Sequence, residues 1–225
     1  MCPFCFMEQR MTTAIDICNN ALDLVGQGLH IESFDDQSKE ADLCKRNYQQ
    51  VVDRALTKFN FSFARKDELI SEKNLIQNVV SIPYKYTYSI PSDVMNILYL
   101  EPYRKVGEET INIKTLKFNF RVIEVNKKKQ RCIVTNKEAP FVIQYQGFID
   151  DPNLFSVQFT EAVEYLLGAR LASALIHGNT GISISNTLMQ QGIMFLQLAS
   201  SQDNQQGADS IKDNQCSFIE ARYGY

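Results

Sequence analysis

Histidine is almost missing from this chain: its 225 residues hold two, His30 and His177. Each stands alone and no nucleophile-elbow motif is present, so Ser–His–Asp catalysis has no basis in the sequence. Cysteine is sparse as well. Cys2, Cys5, Cys18, Cys44, Cys132 and Cys216 are too scattered for the dense disulfide framework of a small secreted domain. Cys2-x-x-Cys5 has half the spacing of a zinc site, but no second pair supplies the other ligands. No apolar run approaches the ~20 residues of a membrane span. The N-terminus lacks the basic and apolar regions of a secretory signal. A phosphate loop is missing too: Val25-Gly26-Gln27-Gly28 has neither a preceding strand nor a following Lys-Ser/Thr. Nor is there an excess of positive charge. The formal net charge is −3, so no global basic field marks a dedicated nucleic-acid binder. The sequence therefore assigns no catalytic residue, no cofactor and no metal ligand. It fits a reducing cytoplasm, or a particle assembled there.

What is present is an ordinary globular balance, 44% hydrophobic and 22% charged. The length suffices for one well-buried domain, or a helical domain with a smaller β insert. Residues 1–12 read as an N-terminal extension, with Met7 and Met11 as alternative starts. A first helix is expected from Thr13 to Val25. Thr13 and Asp16 form a capping-box-like start, Ile15, Cys18, Leu22 and Val25 an apolar stripe, and Gly26 a natural stop. The next stretch, Ile31–Ala64, reads as one long amphipathic helix. Ala41, Cys44, Tyr48, Val51, Ala55 and Phe59 recur at steps of three and four, so they share one face. Ser38 is its expected N-cap, with Asp35 and Asp36 where the helix dipole favours anions. Phe59, Phe61 and Phe63 alternate along an expected extended exit. The short link between the two helices favours an αα-hairpin.

From Leu75 the period changes to two. Tyr84–Ile90, Met95–Leu100, Leu116–Val122, Arg131–Thr135 and Phe141–Gln146 read as strands of one antiparallel sheet. Asn126–Gln130 is a basic turn. Lys127, Lys128, Lys129 and Arg131 form the one dense basic cluster, which a solvated hairpin explains better than nucleic acid does. The aromatic strand Tyr84–Tyr88 suits packing on a core more than base stacking. Helical periodicity returns near Ser156, with Phe159, Val163, Leu166, Arg170, Leu171 and Ala174 near one face. Gly168 and Ala172 permit close approach of another helix. His177-Gly178-Asn179 ends that helix. A fourth is expected over 185–200, with Leu188, Gly192, Phe195, Leu196 and Ala199 as its stripe. Ser200–Gln215 is polar and unsuited to packing by itself. It leads to Ser217-Phe218-Ile219-Glu220-Ala221-Arg222-Tyr223-Gly224-Tyr225. A polar tether ending in aromatic and Arg anchors has the composition of a docking peptide. Folding of that tip onto its own domain is the alternative.

Three carboxylate pairs, Asp35/Asp36, Asp150/Asp151 and Glu161/Glu164, lie at or near helix starts, where acids suit the dipole. Paired carboxylates in a cleft would serve a cell-wall hydrolase, the alternative functional class. A free-standing cytoplasmic binding module is a third.

The ordered residues point further. Ile31-x-Ser33-Phe34-x-Asp36-x-Ser38-x-x-Ala41-x-x-Cys44-x-x-x-Tyr48, then Leu56 and Phe61-Ser62-Phe63-Ala64, resembles the head-to-tail adaptor family of short-tailed phages, also called tail tubular protein A. Members usually carry Trp where this chain has Phe61. Asn20-Ala21-Leu22-x-x-Val25-Gly26, the Tyr-x-Tyr-x-Ile-Pro-x-Asp-Val run at 86–94, Asp151-x-x-x-Phe155-x-x-x-Phe159-x-x-Ala162 and the aromatic-x-x-Ala-Arg ending are similar to the family as well. The resemblance implies an α+β fold: a bundle of about four helices with an inserted antiparallel β-sheet and an extended C-terminal tail. On this chain that gives a helical adaptor domain at 13–74 and 153–200, a β insert at 75–152 and a portal-docking tail at 201–225. It also implies a structural ring, twelvefold, beneath the portal protein of a virion, with a distal tail or nozzle protein below. DNA would pass the channel without sequence-specific binding, which an acidic surface suits. Phe218, Ile219, Arg222 and Tyr223 are the residues expected to meet the portal.

Overall fold

Thr13 opens the first helix, α1 (Ala14–Val25), through a reciprocal capping box. Its N–H donates to Asp16 at 2.8 Å, and the Asp16 N–H donates back to the Thr13 hydroxyl at 3.1 Å. Two of the orphan donors of the first turn are thereby satisfied. Gly26 closes the helix at φ 81°, a left-handed position that glycine adopts without steric cost. The computed structural model describes residues 12–26, 28, 30–77, 83–103, 116–125 and 128–206.

The second helix, α2, spans Lys39–Leu56, not the whole of 31–64. Ser38 is its N-cap, accepting the Ala41 N–H at 3.1 Å. The residues before it are held in a turn, because Asp36 accepts the N–H groups of Glu32 and Ser33 at 2.8 and 3.0 Å. Asp35 pairs instead with Lys45 at 2.7 Å. The expected stripe is buried at Ala41, Cys44, Tyr48, Val51 and Ala55, while Phe59 lies past the helix end and is half-buried. The aromatic exit is not extended. Ser62–Ala64 is a 3-10 turn, which brings Phe61 and Phe63 into a stack at 5.3 Å. Phe159 meets both rings edge-on at 4.9 and 5.1 Å. Aromatic pairs of this geometry contribute about 0.5–1.5 kcal/mol each beyond their burial.

Six strands follow: β1 (Arg65–Ile70), β2 (Tyr86–Ser89), β3 (Val94–Pro102), β4 (Phe118–Val125), β5 (Lys128–Thr135) and β6 (Phe141–Gly147). The expected single sheet is in fact two antiparallel three-stranded sheets, ordered β1-β6-β3 and β2-β5-β4. The first strand begins ten residues before the period-two signal. Arg65–Ile70 buries only Ile70, so burial leaves no alternation to read in it. Both sheets contribute to one core, with Ile70, Leu100, Phe141 and Ile143 from the first and Tyr88 and Ile133 from the second. Lys128 and Lys129, expected in the turn, pair within β5 against Val125 and Glu124. Val122, expected on the apolar face, is 65% exposed.

The chain then returns to helix. Ser156 caps α3 (Val157–Leu175), accepting the Phe159 N–H at 3.3 Å. Gly178 (φ 80°) turns the chain into α4, which runs Asn179–Gln206 and so extends past the expected 185–200 at both ends. The real helical hairpin is α3–α4, with little packing between α1 and α2. Helix α3 lies against α1, α2 and α4, which is why it is buried around most of its girth, at Phe159, Ala162, Val163, Leu167, Gly168, Ala169, Leu171 and Ala172. Small residues set the spacing. A Cβ on Gly168 would stand 3.2 Å from the Ala21 carbonyl oxygen, and one on Gly192 would stand 2.7 Å from Leu166 Cγ.

The fold is α+β, with four helices and two small antiparallel sheets among the described residues. It divides into two compact units, Met1–Phe63 with Ile149–Tyr225, and Ala64–Phe148.

Candidate functional site

An apolar groove is formed in the helical unit where the C-terminal half of α2 faces α3 and α4. It encloses about 390 Å³. Val51, Ala55, Leu166 and Leu196 form its floor, and Phe59, Met189 and Ile193 its walls. Met189 and Ile193 remain 39% and 45% exposed. Ile182, Met194 and Leu198 are also exposed on α4, so that helix is apolar beyond what its own packing uses. A groove of this size and lining matches the concave, mostly apolar surfaces that take ligands or partner side chains.

Its rim is cationic: Arg54, Lys58 and Arg170 line it together with Gln197. Arg170 donates to Asn47 Oδ1 at 3.4 Å. Burial, and then the charge of Arg54, hold its guanidinium below the ordinary arginine range. Two like charges thus share one edge of an apolar hollow. Positive charge in a concave, low-dielectric setting favours an acidic partner. The helical period places Arg170 on an apolar stripe, but no sequence signal joins it to Arg54 of α2 or to Lys58 just past that helix. The one local mark is Arg170 itself, an arginine at a helical step among leucines.

Asp150, Asp151 and Glu164 are engaged structurally. Asp151 caps the short 3-10 turn Pro152–Leu154 by accepting the Asn153 N–H at 3.0 Å. Asp150 accepts from Gln49 at 3.5 Å. Glu164 accepts from Asn20 at 2.7 Å, tying α1 to α3. Burial raises its pKa above the ordinary glutamate value; the Asn20 hydrogen bond works against this, and the charge of Glu161 adds to it. Glu161 and Glu164 line a hollow of about 440 Å³ with Thr160 and Phe155. No histidine or cysteine among the described residues lines it. Among the described residues, no group of three His, Cys, Asp or Glu side chains is arranged to hold a metal.

In the β unit, the aromatic strand packs inward. Tyr88 is 1% exposed, meets Phe141 edge-on at 5.1 Å, and accepts the Ala139 N–H at 2.9 Å. Arg131 is held too. It donates to the Val94 and Met95 carbonyls at 2.7 and 3.2 Å and lies 5.4 Å over the Phe120 ring. A second polar cluster joins Lys66, Asp93 and Tyr145. Lys66 donates to Asp93 at 2.7 Å and Tyr145 does so at 3.3 Å. Burial pushes the Tyr145 phenol up to about 12, with the charge of Asp93 adding to it.

Phe218, Ile219, Arg222 and Tyr223 lie outside the described residues, as do Cys2, Cys5, Lys127 and Cys216. Cys18, Cys44 and Cys132 are buried free thiols. No described helix is long and apolar enough to cross a membrane.

No family model matches the chain, and no curated protein matches it. Among solved structures, it is similar to a chain from the neck of an empty GTA particle computed with C6 symmetry. The two are 12% identical, over 79% of this chain and 93% of that one, with a TM-score of 0.26. At that identity and score the likeness carries no argument about fold or role.

Proposed function

We propose that this protein is a structural head-to-tail adaptor of a short-tailed phage virion. In this reading it forms a ring, twelvefold, that docks on the portal protein, meets a distal tail or nozzle protein, and continues the DNA channel. It acts at the head–tail junction after assembly in the host cytoplasm, and it performs no catalysis. One observation carries the reading: the residues of the resemblance are those that build the fold. Ser38 caps α2 and Asp36 fixes the turn before it. Cys44 and Tyr48 are buried on its inner face, and Phe61 is buried at its exit. Asp93 anchors Lys66, and Phe155 and Phe159 complete the ring cluster around Phe63. An ordered set of motifs, each with a structural duty, supports common architecture over chance similarity.

The engaged carboxylates weigh against the hydrolase alternative, since Asp35, Asp36, Asp150 and Asp151 all hold structural hydrogen bonds or an ion pair. Mass spectrometry of purified virions tests the adaptor reading: the expected result is this protein at a stoichiometry matching the portal. Absence from virions overturns it. Deleting residues 216–225 is expected to leave circular dichroism unchanged and abolish portal binding. Equal portal affinity of full-length and shortened chains would remove the tail from the interface.

A further inference from the structure

The groove on the helical unit has an apolar floor, an exposed apolar wall and three cations on its rim. Its occupant should therefore bring apolar or aromatic anchors and at least one acid. The chain itself holds such a segment. Phe218, Ile219 and Tyr223 are anchors of the kind that fill interface pockets, and Glu220 lies among them. We propose that residues 217–225 seat in this groove of their own subunit when no portal is bound, with Phe218 and Tyr223 over the hollow and Glu220 at the Arg54–Lys58–Arg170 rim.

Reach permits it. Helix α4 ends at Gln206, and Ile193 on the groove wall lies about 20 Å back along it at 1.5 Å per residue. Residues 207–217 span up to about 36 Å when extended, enough to double back along the helix. That tether is mostly polar, with Ile211 its one large aliphatic side chain, so it offers far less apolar surface to the groove than the tip does. The Glu220 carboxylate favours the same seat, provided that Arg222 is turned from the rim. Arg54 and Arg170 repel one another, and a carboxylate placed between them relieves that repulsion. The hollow is about 390 Å³, and an aromatic side chain seated in it would bury up to ~150–250 Å². The tip would then be held by its own domain and exchanged for the portal, a regulation that rests on the adaptor reading. The seat itself does not.

The test uses the full chain without portal. A photo-crosslinking benzophenone amino acid replaces Phe218, and equal amounts of ¹⁴N- and ¹⁵N-labelled chains are mixed and irradiated. Crosslinks from position 218 to residues 189–197, within chains of one isotope, are the expected result. Mixed-isotope crosslinks would give the groove to a second copy and overturn the proposal; crosslinks mapping elsewhere, or none, would overturn it too. Lys58→Glu, at an exposed rim position, should lower the groove crosslink several-fold through repulsion of Glu220. Ile193→Asp, at a partly exposed wall position, should abolish it with helical content unchanged. Persistence of the crosslink in both variants counts against the seat. Portal affinity is measured separately, so loss of the groove contact and loss of the adaptor reading remain distinguishable.

Discussion

Asp203, near the end of α4, accepts the backbone N–H of Ser62 at 2.7 Å and the Ser62 hydroxyl as well. The two residues are 141 positions apart, so this contact pins the far end of the longest helix beside the exit from α2. It also explains why a polar stretch such as 200–206 is helical: its backbone is held by a tertiary anchor and by continuity with the packed part of α4. Asp203→Ala should cost about 1 kcal/mol, the usual net value of such a bond. Hydrogen exchange should rise over 200–206 while the protection of α1 and α3 is kept.

Helix spacing depends on glycines at contact points. A Cβ on Gly181 would stand 2.1 Å from the Ile176 carbonyl oxygen, a backbone atom with little room to move. On Gly192 it would meet the Leu166 side chain at 2.7 Å, which can turn aside in part. Gly181→Ala should therefore destabilise more than Gly192→Ala, each on the order of 1–3 kcal/mol. Urea denaturation of both variants checks the order.

Tyr48 is 6% exposed, and its hydroxyl has no hydrogen-bond partner among the described residues. An unsatisfied buried polar atom opposes folding. Tyr48→Phe should be neutral or stabilising, by up to about 1 kcal/mol. A clear loss of stability would mean that the hydroxyl is in use.

Asp93 predicts an acid limb. Burial favours its neutral form, but the Lys66 hydrogen bond and charge, with bonds from its own backbone and from Tyr145, outweigh that and lower its pKa. A lowered carboxylate pKa stabilises the fold above the unfolded-state value and loses that contribution as pH falls through the folded one. Asp93→Asn should therefore be less stable at pH 7 and show a shallower loss of stability below about pH 4. Thermal melts across pH 2–7 read the difference.

Glu164 carries the opposite sign. Its raised pKa makes ionisation a cost to the fold at neutral pH, one relieved once both states are protonated. Glu164→Gln keeps an acceptor for Asn20 and removes the charge. It should raise the melting temperature at pH 7 and leave it unchanged near about pH 3.5. Equal effects at both values would assign the change to packing.

Local chemistry was legible in the sequence. Thr13 and Asp16, Gly26, Ser38 and Ser156 mark helix ends through bonds made within three or four residues, so spacing alone reveals them. The stripe of α2 was readable because it has one buried side and a matching period, and the strand at Tyr86–Ser89 was readable from its alternating aromatics although Thr87 and Tyr88 are both buried. Three features were not readable. Arg65–Ile70 buries little, and its strand exists through pairing with β6. The division into two sheets depends on which strands β5 and β6 select as neighbours, a choice that period-two patterns leave open. The groove combines Arg54 of α2 and Lys58 just past its end with Arg170 of α3 and Ile193 of α4, residues brought together only by packing.

The sequence by itself determined the helix caps, the α+β class and the ordered motifs that suggest an adaptor, because those depend on near neighbours and on period. The tertiary structure alone decided that α3, and not α2, is the hub, since its residues face three helices at once. It also decided that Phe61 and Phe63 turn inward at a 3-10 corner to meet Phe159 of α3 instead of running out along a strand. Burial on several sides has no period to read, and a corner closed by contacts to distant residues leaves no local mark.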